Sequence, residues 1–321
     1  MASIRDDLSK LSRSMKPNRR QSKPHKPDSP VLVVHLSDLH LNAVIDTATN
    51  QYDFVVAAKR LQKLAMKVKA FGIGNGVTKI VLAMGGDFVK NDKRTDEYLT
   101  IAANRSRSSV VSVLLLRQFI LDLRAEFEID LFAVAGNESR TAKDISWAGP
   151  AVTDNYHSII YWMLELSLQG DKGLVFHPHQ GNEEVFSIHK ETFLLLHGHQ
   201  LNFSQQKSVQ SVMGKYAVSG VKVSHIIGGH IHSAGISDYS SRSSSLCGGD
   251  AYAYNALGYA SKASQNIHLV TPHGIDSMKV DLQNTEEVDG YDCSEALRNH
   301  QVRVVTGELS YSQSITPVRI R

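Results

Sequence analysis

Residues 31–40 read Val-Leu-Val-Val-His-Leu-Ser-Asp-Leu-His, and the change of character midway through this stretch decides the fold. Its first half is a short continuous apolar run. Such runs form strands covered on both faces, whereas a strand with one wet face alternates apolar and polar residues. The folded body therefore starts at Val31. The second half delivers a carboxylate and an imidazole, Asp38 and His40, as soon as the strand ends.

Outward from this stretch the same construction repeats. Residues 79–84 read as a second buried strand followed by Gly85-Gly86-Asp87, and residues 129–135 as a third strand followed by Gly136-Asn137-Glu138. Between the first two runs, Phe54, Ala57, Ala58, Leu61, Leu64, Ala65, Val68 and Phe71 recur at three and four residues with Lys and Arg between them. That spacing predicts an amphipathic helix over 51–71, ended by Gly72, Gly74 and Gly76. A second helix is expected over 108–127, and Asp154 is the expected cap of a third running to about Ser167. Strand, helix, strand, helix, strand at this spacing implies βαβ crossovers and a mainly parallel sheet.

The second half has shorter runs. Residues 173–177, 185–189 and 192–197 read as strands with local antiparallel pairing. A helix near 204–216 and a strand at 223–228 follow, and runs at 266–270 and 278–282 are expected to complete a second sheet. The predicted class is α/β, with two mixed sheets packed face to face and helices outside, as one domain over residues 31–290. Residues 291–321 form a C-terminal extension whose one expected element is a strand at 301–305.

Composition limits the chemistry. The chain has 321 residues, 42% apolar and 21% charged, which suits one large or two modest domains. Two cysteines, Cys247 and Cys293, cannot build a disulfide framework or a zinc–thiolate cluster, so a metal must use His, Asp, Glu or Asn. No run approaches the roughly 20 apolar residues of a membrane helix. The expected location is the cytoplasm, with no membrane partner. Residues 1–30 carry eight Lys or Arg against three Asp, leaving 27 basic and 29 acidic residues elsewhere. Four prolines and few large apolar groups make this basic arm a disordered segment by expectation, suited either to binding polyanions or to staying a solvated tail.

Two later clusters join the first three: His197-Gly198-His199, and Gly228-Gly229-His230-Ile231-His232, each again after an apolar strand. Asp-x-His and His-x-His place both side chains on one side of an extended segment, so a pair can hold one ion or flank two. Asp38, His40, Asp87, Asn137, His197, His230 and His232 carry two formal negative charges, which leaves a pair of divalent ions at net +2. That surplus favours an anionic substrate such as phosphate. One carboxylate must bridge ions that lie about 3.5–4 Å apart, and Asp87, in the middle of the order, is the natural bridge.

These blocks, DLH, GGD, GNE, HGH and GGHIH, resemble those of the calcineurin-like metallophosphoesterases over residues 33–233. The resemblance implies a four-layer sandwich of two sheets between helices. It also implies that Asp38, His40 and His232 hold one metal and Asn137, His197 and His230 the other, with Asp87 bridging. Hydrolysis would then follow from in-line attack on phosphorus by a hydroxide between the ions. The mixed imidazole, carboxylate and amide set makes Mn²⁺ the first choice, with Zn²⁺, Fe and Mg²⁺ as alternatives. One block departs from the family: Glu138 stands where a His is usual, the residue thought to protonate the leaving group. Glu138 is the expected substitute, with His199 and Arg140 as alternatives.

Plainer readings apply elsewhere. His177, His179, His189 and His225 are read as hydrogen-bonded structural residues. Gly72-Ile73-Gly74-Asn75-Gly76 follows a helix and precedes a strand, the reverse of a dinucleotide-binding turn. Ser241 to Ser245 contain no Gly-x-Ser-x-Gly elbow. Tyr252, Tyr254, Asn255 and Tyr259 either stack on bases or pack the second sheet, with packing favoured. Their surroundings also look similar to phage-encoded members of the family, which would place the protein in a host cytoplasm. The functional expectation is a phosphodiesterase or nuclease acting on nucleic acid. The alternatives are a phosphomonoesterase, disfavoured because Phe88-Val89-Lys90-Asn91 follows Asp87 where the family's Ser/Thr phosphatases show Asp-Arg-Gly, and a non-catalytic metal-holding module that binds nucleic acid.

Overall fold

The computed structural model describes residues 25–141, 150–179, 181–250 and 261–306. In chain order the strands are β1 (Val31–Leu36), β2 (Ile45–Asp46), β3 (Gln51–Tyr52), β4 (Lys79–Met84), β5 (Glu128–Ala133), β6 (Leu174–Phe176), β7 (Glu183–Ile188), β8 (Glu191–Leu196), β9 (His225–Gly228), β10 (Gly235–Ile236), β11 (Ser240–Arg242), β12 (Ser264–Thr271) and β13 (Gly274–Asp281). The described helices are α1 (Phe54–Gly74), α2 (Thr95–Leu99), α3 (Arg105–Arg124), α4 (Pro150–Thr153), α5 (Tyr156–Ser167), α6 (Gln206–Val218) and α7 (Ser294–Asn299).

Side-chain alternation along the strands builds the layers. On β1, Leu32, Val34 and Leu36 pack against α1, α3 and α5, while Val31 and Val33 face the other way into a layer shared with Phe186, Phe193, Leu195 and Ile227 of the second sheet. β4 divides likewise, with Ile80, Leu82 and Met84 toward the helices and Val81 and Ala83 toward the second sheet. On β8, Phe193 and Leu195 point inward while Leu194 and Leu196 pack beneath α6 with Val209 and Ile226. The order is helices, sheet, sheet, helix: a four-layer α/β sandwich. The continuous apolar runs follow from this, because every residue of such a strand has a covered face waiting for it. A buried Leu or Phe contributes about 1.5–3 kcal/mol on leaving water, so a slip of one residue would exchange both faces at once without exposing either.

Sheet order corrects three expectations. The first sheet runs β13-β12-β1-β4-β5-β6 and the second β10-β11-β9-β8-β7. The late strands β12 and β13 therefore join the first sheet, where β12 lies antiparallel to β1 with Val33 opposite His268. β6 also belongs there, parallel to β5. Local hairpin signals were right for β7 and β8, which pair antiparallel. They say nothing about which open edge a strand will find, and β1 leaves one free beside it.

Helix ends differ in detail. α1 runs through Gly72 to Gly74. A Cβ on Gly72 would lie 2.9 Å from the Phe127 ring, so that glycine serves close packing, not termination. The cap of α5 is Asn155, whose side chain accepts from the His157 amide, while Asp154 accepts the Thr141 hydroxyl instead. No strand forms at 301–305. That segment is held by Asp53, which caps α1 through Oδ1 (2.9 Å from the Val55 nitrogen) and accepts the Val305 and Thr306 amides through Oδ2, both at 2.9 Å. Residues 1–24 of the basic arm, the aromatic stretch 251–260 and residues 307–321 lie outside the described residues.

Candidate metal centre

Register brings the polar blocks together. β1, β4 and β5 are parallel and aligned, so Leu36, Met84 and Ala133 end level with one another. In the second sheet β8 and β9 are parallel with Leu195 beside Ile227, which sets His197 next to the start of the Gly229 block. The loops then stitch to each other. The Asp38 and His40 amides donate to the carbonyls of Gly86 (3.1 Å) and Asp87 (3.0 Å), and the Gly229 amide donates to His197 (2.6 Å). Asp38 Oδ2 accepts the His230 amide at 2.9 Å and so ties the two sheets together.

Two half-sites result. In the first, Asp38, His40 and His232 bring ligand atoms within 4.8 Å of one another, and in the second Asp87, His197 and His230 do the same. His40 Nε2 lies 3.0 Å from His232 Nε2, and Asp38 Oδ1 is 3.4 Å from His232 Nε2 and 3.9 Å from His40 Nε2. Across the site His197 Nε2 is 2.9 Å from Asp87 Oδ2 and 2.9 Å from Asn137 Oδ1, while its Nδ1 donates to the Gly85 carbonyl at 2.8 Å. Asp87 belongs to both neighbourhoods, since His40, Asp87 and Glu138 form a third such group. All seven predicted ligand positions thus sit at one rim.

Three features fit this set to divalent ions. Asp38 Oδ1 and His40 Nδ1 are buried without hydrogen-bond partners, a costly state for a carboxylate oxygen unless a cation faces it. The donors are imidazoles, carboxylates and an amide, the set that suits borderline and hard divalent ions. The backbone is strained where they lie: Asp38, His40, Asp87, His230 and His232 all take positive φ (52°, 43°, 52°, 71° and 56°), five of the seven such non-glycine residues among those described. Each costs about 1–3 kcal/mol, and such strain persists where surrounding structure over-determines it, as at functional sites. Glycines make room beside them. A Cβ on Gly229 would lie 2.0 Å from Asp38 Oδ2, and one on Gly136 would lie 2.0 Å from Asp87 Oδ1.

Electrostatics separates the groups. Burial would push both carboxyls up, but surrounding imidazoles outweigh it: Asp38 falls far below the usual range through His232, His197 and His40, and Asp87 falls to about 2 through His197 and His40. Burial would lower His197, yet the Asp87 charge and hydrogen bond, with Asp38 behind, hold it at about 9. His232 is also raised, by Asp38 against its own burial. Burial lowers His40 and His230. His199 falls to about 4, by burial and then by the neighbouring His197 and Arg140.

The remaining predicted residues flank the centre. Glu138 donates its amide to Asp87 Oδ1 at 2.8 Å, and its Oε2 lies 3.6 Å from His40 Nδ1. The His199 ring lies 5.6 Å from that of His197, tilted, and 6.0 Å from that of His230, edge-on, with Arg140 Nη2 at 3.5 Å from its Nε2. The histidines read as structural lie elsewhere: His179 bonds Ser158 and the Ala133 carbonyl, and His177 stacks on Phe132 at 3.9 Å. Sequence reasoning missed two supports. Ser37 Oγ donates to Asp38 Oδ2 at 2.6 Å, and Gln265 accepts the Ser37 amide at 2.8 Å. Ser37 stands in the quoted opening stretch and could have been found there. Gln265 arrives from β12, with no local signal.

No family model matches the chain, and no curated protein does. Solved structures with a similar path include Vps29 from Entamoeba histolytica complexed with Zn²⁺ (13% identity, 78% of this chain and 99% of that one, TM-score 0.34). A predicted phosphoesterase from Streptococcus pneumoniae is similar at 11% identity over 78% of this chain and 99% of that one, TM-score 0.29. The sulfate thiohydrolase SoxB of Thermus thermophilus covers 87% of this chain and 61% of its own at 11% identity, TM-score 0.39. At these scores the fold rests on the sheets and their packing, not on the likenesses.

Proposed function

We propose that this chain is a metal-dependent phosphoesterase holding two divalent ions, Mn²⁺ by first choice, and that it hydrolyses phosphodiester bonds of nucleic acid. The observation that carries the reading is the pair of three-residue half-sites meeting at Asp87 where the strands of both sheets end. Asp38, His40 and His232 would hold one ion, Asn137, His197 and His230 the other, and Asp87 both. When bound, such ions place positive charge opposite phosphoryl oxygens and bring the pKa of water toward neutrality.

The chain's own residues supply the rest. Asp38 and Asp87 stay ionised against their burial, and the Ser37 hydroxyl and the His230 and Glu138 amides orient them. Arg140 and His199 stand beside the second half-site, where a guanidinium can meet phosphate oxygens in bidentate fashion. The basic arm adds phosphate contacts that make binding fall steeply with salt. The deciding experiment is metal-dependent turnover of bis-p-nitrophenyl phosphate beside its monoester. Faster diester turnover is expected. Preference for the monoester would reassign the protein as a phosphatase, and ion binding without turnover of either would leave a metal-holding binding module.

A further inference from the structure

Glu138 occupies the position from which a leaving group would be protonated in the family the blocks resemble, yet its surroundings turn it elsewhere. Its amide is bound to Asp87 Oδ1 at 2.8 Å and its Oε2 accepts the Asn91 amide at 3.2 Å, so both backbone and carboxylate are anchored. The same Oε2 lies 3.6 Å from His40 Nδ1. That nitrogen is buried and has no hydrogen-bond partner, while Nε2 of the same ring faces Asp38 and His232.

An imidazole can offer the Nε2 lone pair to an ion only if its proton sits on Nδ1, and a buried Nδ1–H needs an acceptor. We propose that Glu138 is a positioning residue: its carboxylate accepts the Nδ1–H of His40 and fixes the ring that presents Nε2 to a divalent ion in the first half-site. At 3.6 Å the contact is at ion-pair distance, and a small turn of either side chain brings it into hydrogen-bond range. Carboxylates acting on ligand histidines in this way orient the ring and raise its basicity, and their loss lowers metal affinity or activity by about 10–100-fold. The competing geometry is direct ligation by Glu138, since its carboxylate, His40 and Asp87 also lie within 4.8 Å of one another. Direct ligation through His40 Nδ1 would withdraw Nε2 from Asp38 and His232. The inference rests on the two-ion reading and goes beyond it by removing Glu138 from proton transfer.

The test titrates Mn²⁺ into metal-stripped full-length wild type and Glu138→Gln by calorimetry, beside turnover of aryl phosphodiesters with leaving groups of graded acidity. One ion should bind about 10–100-fold more weakly in the variant. Turnover should fall equally for good and poor leaving groups and recover at high Mn²⁺. Unchanged affinity, or a loss confined to poor leaving groups, overturns the inference. A second measurement needs no variant: in wild type loaded with Zn²⁺, nitrogen-15 spectra should show His40 protonated at Nδ1 and bound through Nε2. A ring bound through Nδ1 overturns it. Wild type that takes up no ion overturns the two-ion reading itself, and this inference with it.

Discussion

The two half-sites differ in how well they manage alone. His197 in the second is satisfied on both nitrogens, by the Gly85 carbonyl on one and by Asp87 and Asn137 on the other. The first holds Asp38 Oδ1 and His40 Nδ1 buried and unpartnered, with two imidazole Nε2 atoms pressed to 3.0 Å. A pre-satisfied pocket keeps its shape without a ligand but must give up hydrogen bonds to accept one. The first half-site gives up less: an ion there replaces the His40–His232 hydrogen bond and the Asp38–His232 pair, and in return supplies a partner to Asp38 Oδ1. The first half-site should therefore take its ion more tightly and return more of the binding energy as fold stability.

The largest effect should come from removing what the halves share. Asp87→Asn is expected to abolish turnover and to lower uptake to at most one tightly held ion, measured by elemental analysis after gel filtration. Retention of both ions would remove Asp87 as the bridge. The halves should next separate under Gly229→Ala and Gly136→Ala. The first drives a methyl into Asp38 and the second into Asp87. Gly229→Ala should lose the tight ion and keep a weak one, whereas Gly136→Ala should weaken both. Identical titrations for the two variants would erase the distinction.

Metal addition tests the same contrast on the whole protein. At about a hundred times the dissociation constant an ion adds about 2.7 kcal/mol of stability, visible as a rise in Tm that chelation reverses. His40→Ala should lose more of that rise than His197→Ala, and the opposite order would break the comparison. The smallest effect is a control at a residue whose hydrogen bonds go to neither half. Asp53→Ala removes the α1 cap and frees the 305–306 segment, and should cost about 1–2 kcal/mol in denaturant unfolding while leaving Mn²⁺ affinity unchanged.

Much of this arrangement was legible in the residues. The apolar runs at β1 and β4 already implied strands covered on both faces, because only such strands lack polar alternation. The blocks after them named the residues that meet at the rim, because a side chain at a strand end lies there whatever the rest of the chain does. Other features were illegible for a physical reason. Strand periodicity carries no address, so nothing local to β6, β12 and β13 tells that they join the first sheet, at the open edges beside β5 and β1. Gln265 supports Ser37, and through it Asp38, only because β12 took that edge.

By itself, then, the sequence determined which segments extend, which coil, and which side chains stand at their ends, since those follow from local periodicity and backbone preference. Tertiary structure alone decided that the first half-site keeps buried polar atoms without hydrogen-bond partners while His197 in the second is satisfied on both nitrogens, and that Glu138 looks toward His40. Such facts depend on distances between residues far apart in the chain, which close packing sets and local preference does not.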